Sequence, residues 1–231
     1  MGYTEITPHQ FLQDYIDAYW RVTGCGLPLV QRITPDGCVD IIVDLYGDEK
    51  PNLVGTMTHF KMIEVNAEAQ VLGIRFKPAA FGAFFKFAAM NQVTNLSVEL
   101  DATFSFDLKK LLVDAGGYLD QFFLERLRRP SHILFPVIGE IERHRGQISL
   151  SRLSELHAIT ERQLERNFKQ YVGIGPKAFI NFVRYNNVVP AIRNRPDGRS
   201  LLDIAYAHGF YDHAHLTNEI KRYSGLLPSE I

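Results

Sequence analysis

Arg162 and Arg166 stand one helical turn apart in segment 161–171, and Gln163, Glu165 and Lys169 share its polar side. A guanidinium is a planar fork that donates two parallel hydrogen bonds. In a duplex it matches guanine O6 and N7, a pairing worth about 1–3 kcal/mol of discrimination. Lys169, and Arg152 upstream, suit phosphate oxygens, where a point charge suffices. Farther along, His213, Thr217, Asn218, Lys221 and Arg222 form a second polar series. The chemistry these residue types offer is recognition of base edges and neutralisation of phosphates. No catalytic set, cofactor motif or metal-ligand spacing accompanies them.

Such side chains work only if helices present them. Segment 150–158 reads as a short helix with Leu153 and Leu156 on one face, and Ala158 is small enough for a close crossing. Ile159 is the apolar turn residue and Thr160 the N-cap of a second helix, 161–171, whose Leu164, Phe168 and Tyr171 face inward. A short helix, a tight turn and a polar helix with arginines near its start is the arrangement of a major-groove reader. The same pattern returns in 201–210, which ends at Gly209, and in 213–223, which Asp212 caps and Ser224-Gly225 closes. One offset matches Leu164 with Leu216, Phe168 with Ile220, and Tyr171 with Tyr223. Parallel endings follow, Gly173-Ile174-Gly175-Pro176 and Gly225-Leu226-Leu227-Pro228, with a long connecting helix at 177–194 between the units.

The composite Asp203-Ile204-Ala205 through Gly209-Phe210, His215-Leu216 to Lys221, and Gly225-Leu226-Leu227-Pro228 resembles the AraC/XylS family of bacterial transcription regulators, over about residues 140–231. The resemblance implies two helix-turn-helix subdomains joined by a helix, each placing its second helix in the major groove. The base-reading positions it implies are Arg162, Gln163, Glu165 and Arg166 in the first unit, and His213, Ala214, Thr217 and Asn218 in the second. Three departures bear on this. Pro190 inside the connecting helix should kink or end it. Asn218 stands where relatives often carry arginine, beside Ala214 with only a methyl to offer. Ile220 replaces a usual core phenylalanine. The first unit should therefore carry most base specificity, with Lys221, Arg222 and His213 at phosphates in the second. His208, His213 and His215 do not share a helical face, because Gly209 interrupts them, so no metal site is expected.

The first half reads as strands with turn punctuation: Tyr19–Thr23, Val39–Leu45 after Pro35-Asp36-Gly37, Lys61–Val65 and Val71–Phe76. Segment 81–90 reads as helical. Leucines and phenylalanines at three- and four-residue steps make 107–127 helical, with a break at Gly116-Gly117. The resemblance makes this half a sensor or assembly domain. Trp20, Arg32, Asp36, Asp40 and Arg75 are polar or aromatic groups beside apolar strands, a composition a small-molecule pocket uses. The alternative is that Asp36 makes the turn while Arg32 and Arg75 pair with Asp40 or Asp44.

Composition sets the frame. The 231 residues carry a net charge of −1, but unevenly: 131–231 hold 13 lysines and arginines against 10 aspartates and glutamates, and the preceding part 12 against 16. That fits an acidic sensor joined to a basic reader. No run of 18 apolar residues exists and no secretory signal opens the chain, so a cytoplasmic location is expected. Cys25 and Cys38 form no disulfide framework and read as two unrelated buried thiols. The expected fold is α+β, with a β-rich, barrel-like domain over 1–105, a helical connector over 106–130 and an all-α DNA-binding domain over 131–231. The expected partner is double-stranded DNA at a promoter or operator. A small-molecule effector, RNA polymerase and a second copy of the chain are further partners this architecture allows. Two other readings stand beside the non-enzymatic regulator: an alkyl acceptor reacting through Cys38, as in DNA-repair regulators that share this DNA-binding fold, and a protein–protein adaptor.

Overall fold

In Val39–Asp44, Val39, Ile41 and Val43 are buried while Asp40 and Ile42 are half-exposed, the period-two pattern of a strand with one face in a core. The computed structural model describes residues 1–47, 50–101, 104–128, 133–195 and 199–231. Its strands are β1 (Gly2–Ile6), β2 (Ile16–Thr23), β3 (Leu29–Ile33), β4 (Val39–Asp44), β5 (Asn52–Val54), β6 (Lys61–Val65), β7 (Gln70–Phe76) and β8 (Ser97–Glu99). Six of them make one antiparallel sheet in the order β1-β2-β7-β4-β5-β8, and β3 pairs with β6 in a separate ribbon. The barrel-like expectation is corrected here. Among the described residues β1 and β8 do not pair, and all five residues of β1 are exposed, so the sheet is open. Its inner face is covered by side chains and a helix rather than by closure.

That cover is α1 (Leu108–Arg126), capped by Asp107, whose carboxylate accepts from the backbone N–H of Lys109 and Lys110. Phe123 of α1 stacks on Tyr19 and meets Phe76 edge-on. The Tyr19 hydroxyl donates to Asp120 at 3.0 Å. The interruption in α1 falls at Asp114 (φ −149°, ψ 86°), not at the glycines. Asp114 accepts from Gly117 N at 3.0 Å and so caps the second segment, in which Gly116 and Gly117 are helical. Segment 81–90 holds only short 3-10 turns, Phe81–Ala83 and Met90–Gln92. Phe81 and Phe84 turn inward together onto Phe76, a convergence tighter than one helical stripe provides.

The helices of the second half are α2 (Leu134–Arg143), α3 (Leu150–Leu156), α4 (Glu161–Tyr171), α5 (Pro176–Arg193), α6 (Leu201–Ala207) and α7 (His213–Ser224). Their core includes Leu153, Leu164, Phe168, Phe179, Leu216 and Ile220, distinct from the core around Phe76 and Phe123. The expected boundary between the connector and the DNA-binding domain, at 130/131, lies outside the described residues. Pro190 does not stop α5, which runs three residues beyond it. With no N–H, proline costs the helix one bond, and exposure of Pro190 on the last turn makes that tolerable. No described helix is long and apolar enough to cross a membrane.

Candidate nucleic-acid interface

The first unit is built by caps. Ser149 accepts from Arg152 N to start α3. The chain then turns through Ala158 at φ 49° and buried Ile159. Thr160 and Gln163 form a reciprocal capping box that starts α4. The second unit repeats the scheme. Ser200 and Asp203 box the start of α6, Gly209 turns at φ 75°, and Asp212 accepts from His215 N to start α7. Its turn is one residue longer, and the additional residue, Tyr211, is 83% exposed.

Leu164 and Phe168 of α4, and Leu216, Ile220 and Tyr223 of α7, are buried, while Tyr171 is half-buried. Leu156 is a correction. It shares a face with buried Leu153, three residues back, but as the final residue of a seven-residue helix it is 45% exposed.

Arg162, Arg166 and Lys169 are exposed along α4. Arg162 and Arg166 have no ion-pair or hydrogen-bond partner among the described residues, so both forks are free for an external acceptor. Gln163 is exposed, but its carbonyl oxygen accepts from the Thr160 N–H and hydroxyl, leaving its amide NH2 as the free end. Glu165 pairs with Lys169 at 3.0 Å. On α7, His213, Ala214, Asn218, Lys221 and Arg222 are exposed. The Thr217 hydroxyl donates to His213 O within its own helix, and the Arg222 guanidinium lies over Tyr223. His215 is half-buried, edge-on to Phe210. Among the described residues no group of three or more His, Cys, Asp or Glu could hold a metal ion.

Sequence reasoning missed Arg184. From α5 its Nη1 donates to Gly209 O at 3.0 Å and its Nη2 to Asn181, and its guanidinium lies over Phe210. It straps the connecting helix to the turn of the second unit. Also unforeseen is the grip of the first half on both units. Thr56 donates its hydroxyl to Val172 O, and Thr94 donates to Gly173 O at 2.7 Å. Arg32 donates to Ser224 O at 2.5 Å, and Phe60 occupies the space that a Cβ on Gly225 would fill. Val172 and Ser224 are equivalent positions under the offset that aligns Leu164 with Leu216.

Four of the five expected ligand residues come together on the outer face of the sheet, and Arg32 does not. Trp20 Nε1 donates to Asp40 at 2.6 Å, its indole lying where a Cβ on Gly73 would be. Arg75 lies within 4 Å of Glu5, Asp17, Asp36 and Asp40. Burial, and then the charge of Asp36, raise the Asp40 carboxyl to about 7, against the opposing Trp20 bond and Arg75. Asp36 also accepts from Cys38 N in its turn. Arg32 lies instead against Phe60 and α7, because its strand belongs to the separate ribbon. Asp17, Asp36, Cys38 and Arg75 open on a cleft of about 460 Å³ whose other wall includes Phe179 and Phe182 of α5. Both thiols are free, and Cys25 is exposed, not buried. Burial and the charges of Asp36 and Asp40 push the Cys38 thiol well above its ordinary value, the opposite of what a nucleophilic thiolate needs.

Residues 4–99 match a family described as "Domain of unknown function (DUF6597)", and residues 153–231 a family described as "Helix-turn-helix domain". The HTH-type transcriptional regulator MtrA of Neisseria gonorrhoeae is 27% identical over 103 residues, which are 45% of this chain and 33% of that protein. The HTH-type transcriptional activator RhaS of Escherichia fergusonii is 29% identical over 96 residues, 41% and 34% of the two chains. The matches thus span about a third of the length of these curated relatives. Among solved structures, ToxT from Vibrio cholerae aligns over 99% of this chain and 96% of its own, at 9% identity and a TM-score of 0.46.

Proposed function

We propose that the protein is a sequence-specific, DNA-binding transcription regulator of the AraC type acting in the cytoplasm, a reading supported by the match of residues 153–231 to a helix-turn-helix family. The observation that carries this reading is the pair Arg162 and Arg166, exposed, unpartnered and one turn apart on a boxed helix inside a repeated two-helix unit. In this reading 1–105 form the sensor or assembly domain, 106–130 the connector and 131–231 the reader.

The first unit reads bases, with Arg162 and Arg166 as forks and Lys169 at phosphate. Gln163 contributes through its free NH2, while Glu165 holds Lys169 in place. The second unit supplies phosphate contacts through Lys221, Arg222 and His213, and narrower base contact through Asn218, Ala214 and Thr217. The first half tunes the readers by gripping Val172-Gly173 and Ser224-Gly225, which lie at the far ends of the two reader helices from their leading turns. An effector or a second copy of the chain that altered this grip would alter the readers, and promoter-bound protein would then act on RNA polymerase.

The test is a mobility shift on the DNA upstream of its own operon. Arg162→Ala with Arg166→Ala should weaken specific binding about a hundredfold or more while circular dichroism stays unchanged. Unchanged binding would refute the role of the first reader. Affinity independent of salt would point to an adaptor, since phosphate contacts release counterions.

A further inference from the structure

The Pro35-Asp36-Gly37 turn of the first half leans on the connecting helix. Gly37 has φ 73°, and a Cβ there would lie 2.8 Å from the Phe182 ring and 3.2 Å from that of Phe179. This contact with α5 is separate from the grips on Val172-Gly173 and Ser224-Gly225. Asp36 fastens the turn to the sheet. Its Oδ1 accepts from Cys38 N at 2.9 Å, and its Oδ2 lies 3.3 Å from Arg75 Nε. Asp40 Oδ1 lies 3.8 Å from the same nitrogen. That Nε is buried and forms an ion pair with both carboxylates but a hydrogen bond with neither. It has one proton to donate, so the two acids compete for it.

The surroundings leave an excess of negative charge. Glu5 of β1 and Asp17 of β2 also lie within 4 Å of Arg75, so four carboxylates share one guanidinium. Arg75 Nη2 donates to the Tyr3 hydroxyl and the Cys38 thiol to Asp36 O, while Lys77 and Glu142 line the cleft. Helix α5 brings only neutral side chains to that cleft, Asn186 and Asn187 among them. Keeping Asp36 and Asp40 both ionised here is costly, and one proton on the pair relieves the cost. Burial, and then the charge of Asp36, accordingly raise the Asp40 carboxyl to about 7, and burial raises Asp36 as well.

We propose that Asp36 and Asp40 form a proton-operated latch between the sheet and α5. With a proton on Asp40, Asp36 keeps Arg75 to itself and the 35–37 turn stays seated on Phe179 and Phe182. When that proton passes to water, Asp40 draws Arg75 away and repels Asp36, and the turn lifts. The docked pair holds its proton more tightly than a solvated carboxyl does. Docking is therefore strongest in acid, weakens as pH rises, and has lost the proton's contribution above about 7. The latch deepens the regulator reading by adding control over α5, the helix that joins the two readers, and rests on that reading only for a consequence at DNA.

Trp20 is the only tryptophan in the chain, and its indole donates to Asp40 at 2.6 Å, so its fluorescence reports the ionisation of that acid. Emission from the full chain, titrated from about pH 5 to about pH 9, should change with a midpoint near 7. In NMR spectra the NOE between Gly37 Hα and the Phe182 ring should fall by about half or more over the same range. Asp40→Asn should abolish the titration and keep the NOE at every pH. Asp36→Asn should move the midpoint down toward ordinary carboxylate values. Flat emission, a midpoint unchanged in either variant, or an NOE that stays constant through the parent's titration overturns the latch. If Asp40→Asn does not fold, the parent chain and Asp36→Asn decide. Neither readout involves DNA, so a failed latch leaves the regulator standing, and a chain that binds no DNA still reveals whether the latch works.

Discussion

The two helix-turn-helix units share a plan and differ at the turn and at the leading face. In the first, the chain turns through Ala158, a residue with a Cβ in left-handed conformation, and enters α4 directly after Ile159 and Thr160. In the second, Gly209 takes the left-handed position without strain and Tyr211 lengthens the turn by one exposed residue. The first unit presents two free guanidiniums. The second presents His213, Ala214 and Asn218, and adds a strap, Arg184, with no arginine counterpart at the first turn among the described residues. A duplicated scaffold can thus be held constant by buried Leu164/Leu216 and Phe168/Ile220 while its outer residues divide the work. In the proposed function, one unit discriminates bases and the other holds the backbone, while Arg184 ties that second unit to α5.

Removing the strap should have the largest effect. Arg184→Ala deletes two charge-assisted hydrogen bonds and the stacking on Phe210, and should cost about 2–3 kcal/mol. Amide exchange should rise at Gly209 and Phe210 and stay unchanged at Ala158 and Ile159. Equal loosening of both turns would mean that the strap is not specific to the second unit. Next comes the turn conformation. Gly209→Ala should destabilise by about 1–2 kcal/mol, whereas Ala158→Gly should be neutral to stabilising by up to about 1 kcal/mol, because only the second substitution relieves a left-handed Cβ. Urea titrations showing the same sign for both would remove that difference. The caps come last. Thr160→Ala and Asp212→Ala should each cost about 1 kcal/mol, since each removes an oxygen that accepts from the first turn of a reader helix. A cost confined to one unit would show that the two leading turns are not fixed in the same way.

The limits of both reader helices were legible, because Thr160, Asp212 and Gly225 announce them through local chemistry and Leu164, Phe168, Leu216 and Tyr223 mark the buried stripe. The inner strands were legible for the same reason, from alternation around β4 and β7. What escaped was non-local. Arg32 looked like a pocket residue beside apolar strands, yet its partner, Ser224, is 192 residues away, and no local pattern carries that contact. The openness of the sheet depends on whether β1 and β8 meet, which neither strand encodes alone. Segment 81–90 has helical composition, but its phenylalanines serve a core shared with Phe76 and Phe123. Gln163 was placed correctly on the surface. Its commitment to the capping box follows from its position three residues after Thr160, a local signal that the base-reading assignment overshadowed.

The central claim is the division of labour between α4 and α7. It is tested by the ratio of affinities for the operator and for a scrambled duplex, measured across a salt series with Arg162→Ala/Arg166→Ala and with Lys221→Ala/Arg222→Ala. The first pair should collapse the ratio. The second should leave the ratio near that of the parent, weaken both affinities, and reduce the salt slope by about 1 for every phosphate no longer neutralised. A ratio that survives loss of the two α4 arginines but collapses with the α7 pair would contradict the account.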